Sequence, residues 1–275
     1  MNLYKSLVAL ALAGAAFGAQ AHKQWILPSS TVVEGKEPWV TVDAAISEGL
    51  FDIDFRPLQL DGLAVTGPDG AAVTPENIFN GKLRNTFDVK LAKNGTYRIA
   101  LVNQSVFANY KVNGETKRFR GTEETLKKEV PANAQDLQVT HMASRLETFV
   151  TANEPSALPK PTGVGLELVP VTHPNELLVG EKVTWKFLLD GKPAANQPFS
   201  LIPGGVRQRG ILGEIRHTTD ANGEITFTAP TGGMYLVSSN WPVQVRGQGQ
   251  QGQPGQQAPQ PRRTSYTAIV EVLPQ

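Results

Sequence analysis

The chain has 275 residues, with 26 Lys and Arg against 25 Asp and Glu and a formal net charge of +1. The charges are interspersed, so no basic face or arm asks for nucleic acid and no acidic tail suggests a cation store. There is no cysteine, which excludes thiolate metal sites, a thiol nucleophile and a lipoprotein anchor.

Residues 1–21 read as a signal peptide. One positive charge lies in residues 1–5, and an apolar and small-residue run follows to Ala19. Ala19 and Ala21 supply the small side chains that signal peptidase accepts. Cleavage after Ala21 makes His22 the first residue of the mature protein. A free α-amine with a pKa near ~8 then shares one residue with an imidazole near ~6.5. That pair chelates a borderline divalent metal, with Cu²⁺ favoured over Ni²⁺ and Co²⁺. The plainer alternative is a solvated chain end. No later apolar run reaches the ~18 residues that read as a membrane span. The expected location is periplasmic.

Residues 22–153 form the first predicted domain. Short β-rich runs such as Thr31-Val32-Val33 and Trp39-Val40-Thr41-Val42 alternate with turns such as Gly35-Lys36-Glu37-Pro38 and Gly67-Pro68-Asp69-Gly70. Strands at this spacing, joined by Gly and Pro, indicate an antiparallel sandwich. One short helix is predicted over 122–129, with acidic residues at its start, Lys127 and Lys128 at its end, and an incomplete capping box because Thr125 stands where Glu or Gln would. A long strand follows over 136–150. Its apolar parity switches near Ser144, which predicts a bulge or a crossing between sheets.

Residues 154–163 hold three prolines within seven residues and read as a semi-rigid linker. The second domain, 164–275, carries the alternating strand Lys182-Val183-Thr184-Trp185-Lys186-Phe187 and turns at Asp190-Gly191 and Asn222-Gly223. A Gln, Gly and Pro-rich stretch within 247–263 has nothing apolar to bury and is expected to be a disordered loop. The halves echo each other. Leu60-Asp61-Gly62 matches Leu189-Asp190-Gly191, and a Gly shortly before a strand-opening Tyr recurs at Gly95 with Tyr97 and at Gly233 with Tyr235. The fold expectation is all-β: two immunoglobulin-like or transthyretin-like sandwiches in tandem, with one short helix.

The chain has four histidines. His22 is the first metal candidate. His173, in Thr172-His173-Pro174-Asn175, lies on a loop and is the candidate for a further ligand, or else a polar turn residue. His141 lies on an apolar parity and reads as a hydrogen-bonded core residue. His217 reads as half-buried or cross-strand paired. Pro203-Gly204-Gly205-Val206-Arg207-Gln208-Arg209-Gly210 is either an anion-binding loop or a mobile sheet-edge connection. Nucleophile elbow, phosphate-loop, zincin and dinucleotide motifs do not occur, so the chain is not read as an enzyme.

Ala21-His22-Lys23-Gln24-Trp25-Ile26-Leu27-Pro28, Asn113-Gly114-Glu115-Thr116-Lys117-Arg118 and Gly165-Leu166-Glu167-Leu168-Val169-Pro170-Val171-Thr172-His173-Pro174-Asn175 resemble an uncharacterised family of exported bacterial proteins. That family is a domain of unknown function, loosely labelled as nickel or cobalt uptake components. The resemblance implies a periplasmic two-domain β protein. It carries His22 onto the family's mature start and His173 onto its Thr-His-Pro-Asn motif; His141 and His217 fall in no shared motif. By analogy of site alone, a mature amino-terminal histidine on a β-sandwich also looks like periplasmic copper carriers and copper-dependent polysaccharide oxygenases.

The expected function is binding or delivery of a divalent transition metal, copper, nickel or cobalt, with a membrane metal transporter or a TonB-type receptor as partner. The alternative is a metal-free adaptor or structural module for such a transporter or receptor. A copper oxygenase ranks last.

Overall fold

The computed structural model describes residues 22–242 and 262–275. Residues 1–21, expected to be a signal peptide, and the 247–263 stretch expected to be a disordered loop lie outside the described residues, except Arg262 and Arg263, which open the last strand.

The first half contains β1 (Lys23–Pro28), β2 (Val32–Val33), β3 (Trp39–Ser47), β4 (Arg56–Pro57), β5 (Leu63–Thr66), β6 (Ala72–Val73), β7 (Glu76–Asn80), β8 (Asn85–Lys90), β9 (Gly95–Val112), β10 (Glu115–Gly121), α1 (Glu123–Glu129) and β11 (Gln135–Ala152). The second contains β12 (Leu166–Pro170), β13 (Leu177–Leu178), β14 (Lys182–Leu189), β15 (Lys192–Pro193), β16 (Pro198–Pro203), α2 (Val206–Arg209), β17 (Ile215–Thr218), β18 (Glu224–Thr228), β19 (Gly233–Trp241) and β20 (Arg262–Leu273). The described residues are all-β, as the period-two patterning requires, with two short helices among them, Glu123–Glu129 and Val206–Arg209. β8 buries every second residue, Asn85, Phe87 and Val89, and β14 does the same with Val183, Trp185 and Phe187.

Three sheets stack around a shared middle layer. The first outer sheet has the order β1-β3-β8-β7, with β4 on β3. The other outer sheet is β12-β14-β15, with β18 on β14. The middle sheet runs β17-β16-β19-β20-β11-β9-β5-β6, because β11 of the first half pairs in parallel with β20 of the second. Alternate residues of this sheet therefore enter different cores. Leu146, Val150, Leu236 and Ile269 join the first core with Trp25, Val42 and Phe87. Phe149, Tyr235, Val237 and Tyr266 join the second with Trp185 and Phe187.

This arrangement corrects the expectation at Ser144. The register of β11 on β9 is continuous from Gln138 with Asn109 to Ala152 with Gly95. There is neither a bulge nor a crossing at Ser144. Arg145 to Ala152 are all buried, because from that point both faces of the strand are covered.

The internal echo has a physical basis. Tyr97 Oη donates to Lys93 O and Tyr235 Oη donates to Thr231 O, both at 2.9 Å. Each hydroxyl reaches back four residues, as in the tyrosine corner of immunoglobulin-like sandwiches. Gly95 and Gly233 have φ of 124° and 122°, a backbone that disfavours any side chain.

β9 and β11 are each 18 residues long. Their distal halves leave the sandwich and, with β10, form a three-stranded ribbon. Asn113 and Gly114, both with positive φ, make the two-residue turn between β9 and β10. α1 covers one face of the ribbon through Leu126 and Val130, packed on Val106, Ala108 and Phe119. The capping box of α1 is complete after all: Thr125 Oγ1 accepts the Thr122 N–H at 2.8 Å, and Thr122 Oγ1 accepts the Thr125 N–H at 3.2 Å.

Candidate metal-binding end of the first sheet

His22 precedes β1 at the end of the first outer sheet. Lys23 faces Ser47 across β1 and β3, so the residue before β1 meets the loop that leaves β3. Trp25 anchors this corner. It is 1% exposed, its Nε1 donates to Ser47 Oγ at 2.7 Å, and its ring meets Phe51 edge-on at 5.8 Å.

The loop is shaped by its own carboxylates. Asp54 accepts the N–H groups of Glu48 and Gly49 at 3.0 and 2.9 Å, and Asp52 N donates to Gly49 O at 2.9 Å. This tight turn fixes both Glu48 and Phe55 beside His22. The imidazole stacks on Phe55 with centroids 3.9 Å apart and planes inclined by 23°. Its Nε2 lies 3.5 Å from Glu48 Oε1, with side-chain exposures of 41% and 67%. Arg56 covers Phe55 from 5.3 Å. Glu48 and Phe55 had no sequence signal as neighbours of His22, since only the strand pairing brings them there.

His173 lies elsewhere. Its Nδ1 accepts the Asn175 N–H at 3.2 Å, which leaves the ring proton on Nε2 for donation to Thr96 Oγ1 at 3.0 Å. The chain of bonds continues inward. Thr96 and Thr151 hydroxyls meet at 3.0 Å, Thr151 donates to Asn175 Oδ1 at 3.0 Å, and Asn175 Nδ2 donates to Phe149 O at 2.9 Å. Ser156 ties the linker to the same point, its N–H donating to Thr96 Oγ1 at 3.1 Å. Burial pushes the His173 pKa below the ordinary imidazole value, against the pull of Glu176 and the Ser156 backbone. Both ring nitrogens are committed, so His173 is a strut and not a free ligand.

The two candidates are also far apart. His22 adjoins Lys23, whereas Thr96 and Thr151 sit by β2, just past the Pro28 end of β1. About 17 Å of strand lies between the two ends of β1. Among the described residues no three His, Asp or Glu side chains form a metal cluster.

His141 departs from the core expectation: its side chain is 50% exposed and bonds Glu123 of α1. His217 is half-buried, pairs with Phe199 and lies 5.8 Å from the Phe227 ring, with Nε2 buried and unpartnered. The Gly-rich run at 203–210 connects β16 towards the edge strand β17 and contains α2. Gly205 and Gly210 take left-handed caps at the two ends of α2, and Arg209 donates to the carbonyls of Pro203, Gly204 and Leu212.

A second polar centre is buried where the halves meet. Arg145 Nη2 donates to Glu167 Oε1 and Thr162 Oγ1, both at 3.1 Å, and Arg145 Nη1 lies 3.5 Å from Glu147 Oε2. Glu167 also accepts the N–H groups of Thr162 and Gly163 at 2.8 and 2.7 Å. Tyr266 Oη donates to Glu147 Oε1 at 2.8 Å. Burial raises the Glu147 pKa despite Arg145, and burial beside Glu147 raises that of Tyr266 far above the usual phenol.

Residues 19–242 match the family model described as Domain of unknown function (DUF4198). The chain belongs to this family. The family description assigns no activity. None of the curated proteins matches the chain. Among solved structures, the chain is similar to the D0-D1 domain of intimin, at 14% identity over 90% of this chain and 96% of that one, with a TM-score of 0.23. It is similar to human OSCAR ligand-binding domain, at 14% identity over 91% of this chain and 99% of that one, with a TM-score of 0.21. It also spans about half of a DUF4785 family protein from Legionella pneumophila, at 11% identity over 78% of this chain and 52% of that one, with a TM-score of 0.21. Among the described residues no helix is long and apolar enough to cross a membrane.

Proposed function

We propose that this is a periplasmic protein that binds one divalent transition metal at His22, copper more tightly than nickel or cobalt, and buffers or delivers it. The observation that supports this is the contrast among the histidines. His173 has spent both nitrogens, the His217 ring is half-buried among aromatics, and His141 is held by Glu123. His22 is accessible and held in place by Phe55, and it faces Glu48 through Nε2.

A carboxylate at Nε2 favours the tautomer whose proton sits there and leaves Nδ1 as the lone-pair donor. Nδ1 is also the nitrogen that closes a six-membered chelate ring with the residue's own α-amine. Export with cleavage after Ala21 frees that amine. Two protein donors leave the remaining positions to water or to a receiving protein, which suits a carrier better than a permanent site. Both donors must lose protons to bind, so affinity falls as pH drops. No catalytic step is assigned.

The test is titration of Cu²⁺ and Ni²⁺ into three forms: native-start protein confirmed by intact mass, protein with an amino-terminal tag, and His173→Ala. Native-start protein should bind one equivalent. The tag should abolish that site, because the amine becomes an amide. His173→Ala should leave it unchanged. Equal binding by tagged and native-start forms overturns the site and favours the metal-free adaptor.

A further inference from the structure

The three-stranded ribbon carries an open sheet edge. β10 pairs with β9 alone, so its other edge meets no strand among the described residues. The turn at Asn113-Gly114 fixes which groups point that way. A two-residue hairpin closes on a hydrogen-bonded pair, here Val112 with Glu115, and bonded and open pairs then alternate. Lys117 with Tyr110 and Phe119 with Ala108 are therefore bonded across to β9. Thr116, Arg118 and Arg120 turn their N–H and C=O groups outward, and all three residues are exposed.

The side chains of the same three residues share one face. Phe119 points to the other face, into the small core under α1 with Val106, Ala108 and Leu126. That packing holds β10 in the ribbon, so the edge belongs to a fixed element. On the open face, the register sets Arg118 beside Asn109 and Gln138, and Arg120 beside Phe107 and Thr140. The Arg120 guanidinium lies over the Phe107 ring at 5.2 Å.

Net charge does not set this region apart, since residues 105–142 hold six Lys and Arg against five Asp and Glu. The pairing does. Lys117 takes Glu115 at 2.6 Å, Lys128 takes Glu124 at 2.6 Å, and His141 takes Glu123. Asp136, at the ribbon tip, is taken by Lys111 at 2.8 Å. Lys127 and Glu129 stand on α1, which covers the opposite face. Arg118 and Arg120 are left on the open face without an ion pair among the described residues. An open edge invites strand addition. A second copy fits poorly, because two fully overlapped antiparallel β10 strands set Arg118 opposite Arg118. An antiparallel peptide strand instead places its own side chains opposite Arg118 and Arg120 on the same face, two residues and about 6.8 Å apart. Carboxylates at alternate positions of such a strand meet both guanidinium groups.

We infer that the outer edge of β10 is a docking site for an extended acidic peptide of a partner protein. The peptide joins the ribbon as a fourth, antiparallel strand and sets alternate Asp or Glu side chains against Arg118 and Arg120. The inference does not depend on the metal reading, and metal-free protein serves for its test.

The experiment is a fluorescence-polarisation titration of the mature, untagged chain into a labelled synthetic peptide of alternating Glu and Val. Wild type should bind it, and in the complex the N–H groups of Thr116, Arg118 and Arg120 should exchange with solvent more slowly. Arg118→Glu with Arg120→Glu should lower affinity about tenfold or more, since two attractive cross-strand pairs become repulsive. That double variant should bind a peptide of alternating Lys and Val instead. Lys127→Glu, on α1, should bind as wild type. These substitutions alter exposed side chains, and unchanged thermal unfolding confirms that the variants fold. N-methylation of the peptide's Glu residues, whose N–H groups face β10, should abolish binding, while N-methylation of its Val residues should leave it. Failure of wild type to bind the plain peptide overturns the inference, as does equal binding by wild type and the double variant. Equal binding of the two N-methylated peptides reduces the contact to charge alone and overturns strand addition. Binding of polygalacturonate or phosphatidylglycerol vesicles in place of the peptide overturns the choice of partner.

Discussion

The His22 end of the first sheet and the junction between the two halves use the same residue types for opposite ends. At His22 the side chains are exposed, and each has one or two partners: Glu48 by charge, Phe55 by stacking. At the junction, Arg145, Glu147, Glu167, Thr151 and Asn175 are buried, and each is hydrogen-bonded or ion-paired to a neighbouring side chain or to the backbone. A group whose lone pairs are spent in a network stabilises the fold and offers nothing to a ligand. A group with an uncommitted nitrogen offers chemistry and stabilises little. Carboxylates and imidazoles are therefore open to a ligand or structural here by surroundings and not by type.

Arg145→Leu should have the largest effect, because it strips the buried counter-charge from Glu147 and Glu167. The expected loss is about 3–5 kcal/mol of unfolding free energy, read from the urea midpoint with an unchanged slope. A variant as stable as wild type would mean that the junction does not hold the halves together.

His173→Ala comes next. It leaves the Asn175 N–H without its acceptor and takes one of three partners from Thr96 Oγ1, and it should cost about 1–3 kcal/mol. His22→Ala should change stability by less than about 0.5 kcal/mol while removing metal binding. If the two substitutions cost the same in urea, the contrast between strut and ligand fails.

The pH dependence sharpens the comparison further. The folded-state pKa of His173 lies below its unfolded value. The unfolded chain therefore binds more protons as pH falls, and the His173 contribution, present in full above about 6.5, is lost below it down to the folded pKa. Glu147 has the opposite sign, since its folded pKa is raised: its ionisation opposes folding as pH rises from the ordinary carboxylate value through the folded one. Unfolding free energy measured against pH should fall less steeply below pH ~6.5 in His173→Gln than in wild type. The smallest effect is expected from Glu48→Ala, a few-fold drop in metal affinity at neutral pH with no change in the urea midpoint.

Local chemistry was legible in the residues. The alternation in β3, β8 and β14, the paired Gly and Tyr of the two halves, the charge order of α1 and the turn at Asp190-Gly191 all act over a few neighbours, and all appear in the structure where the sequence places them. Asn113-Gly114 was equally legible as a hairpin turn, because a type I′ turn needs two residues that tolerate positive φ. The ribbon could have been inferred from it.

What the residues could not show was which layer covers which face. The parity change at Ser144 is the same sequence signal whether a strand bulges, changes sheets or gains a second cover. Only the parallel pairing of β11 with β20, more than a hundred residues apart in the chain, selects the last. The same holds for the histidines. His173 and His22 both stand beside β-rich segments, and both lie within residues 19–242 that match the family model. Thr96 reaches one across 77 residues to occupy it, while the turn after β3 carries Glu48 and Phe55 to the other and leaves a nitrogen open. Hydrogen-bond satisfaction depends on neighbours in space, and in a sheet protein most of those are remote in sequence, so the sequence determined the candidates and the tertiary structure decided between them.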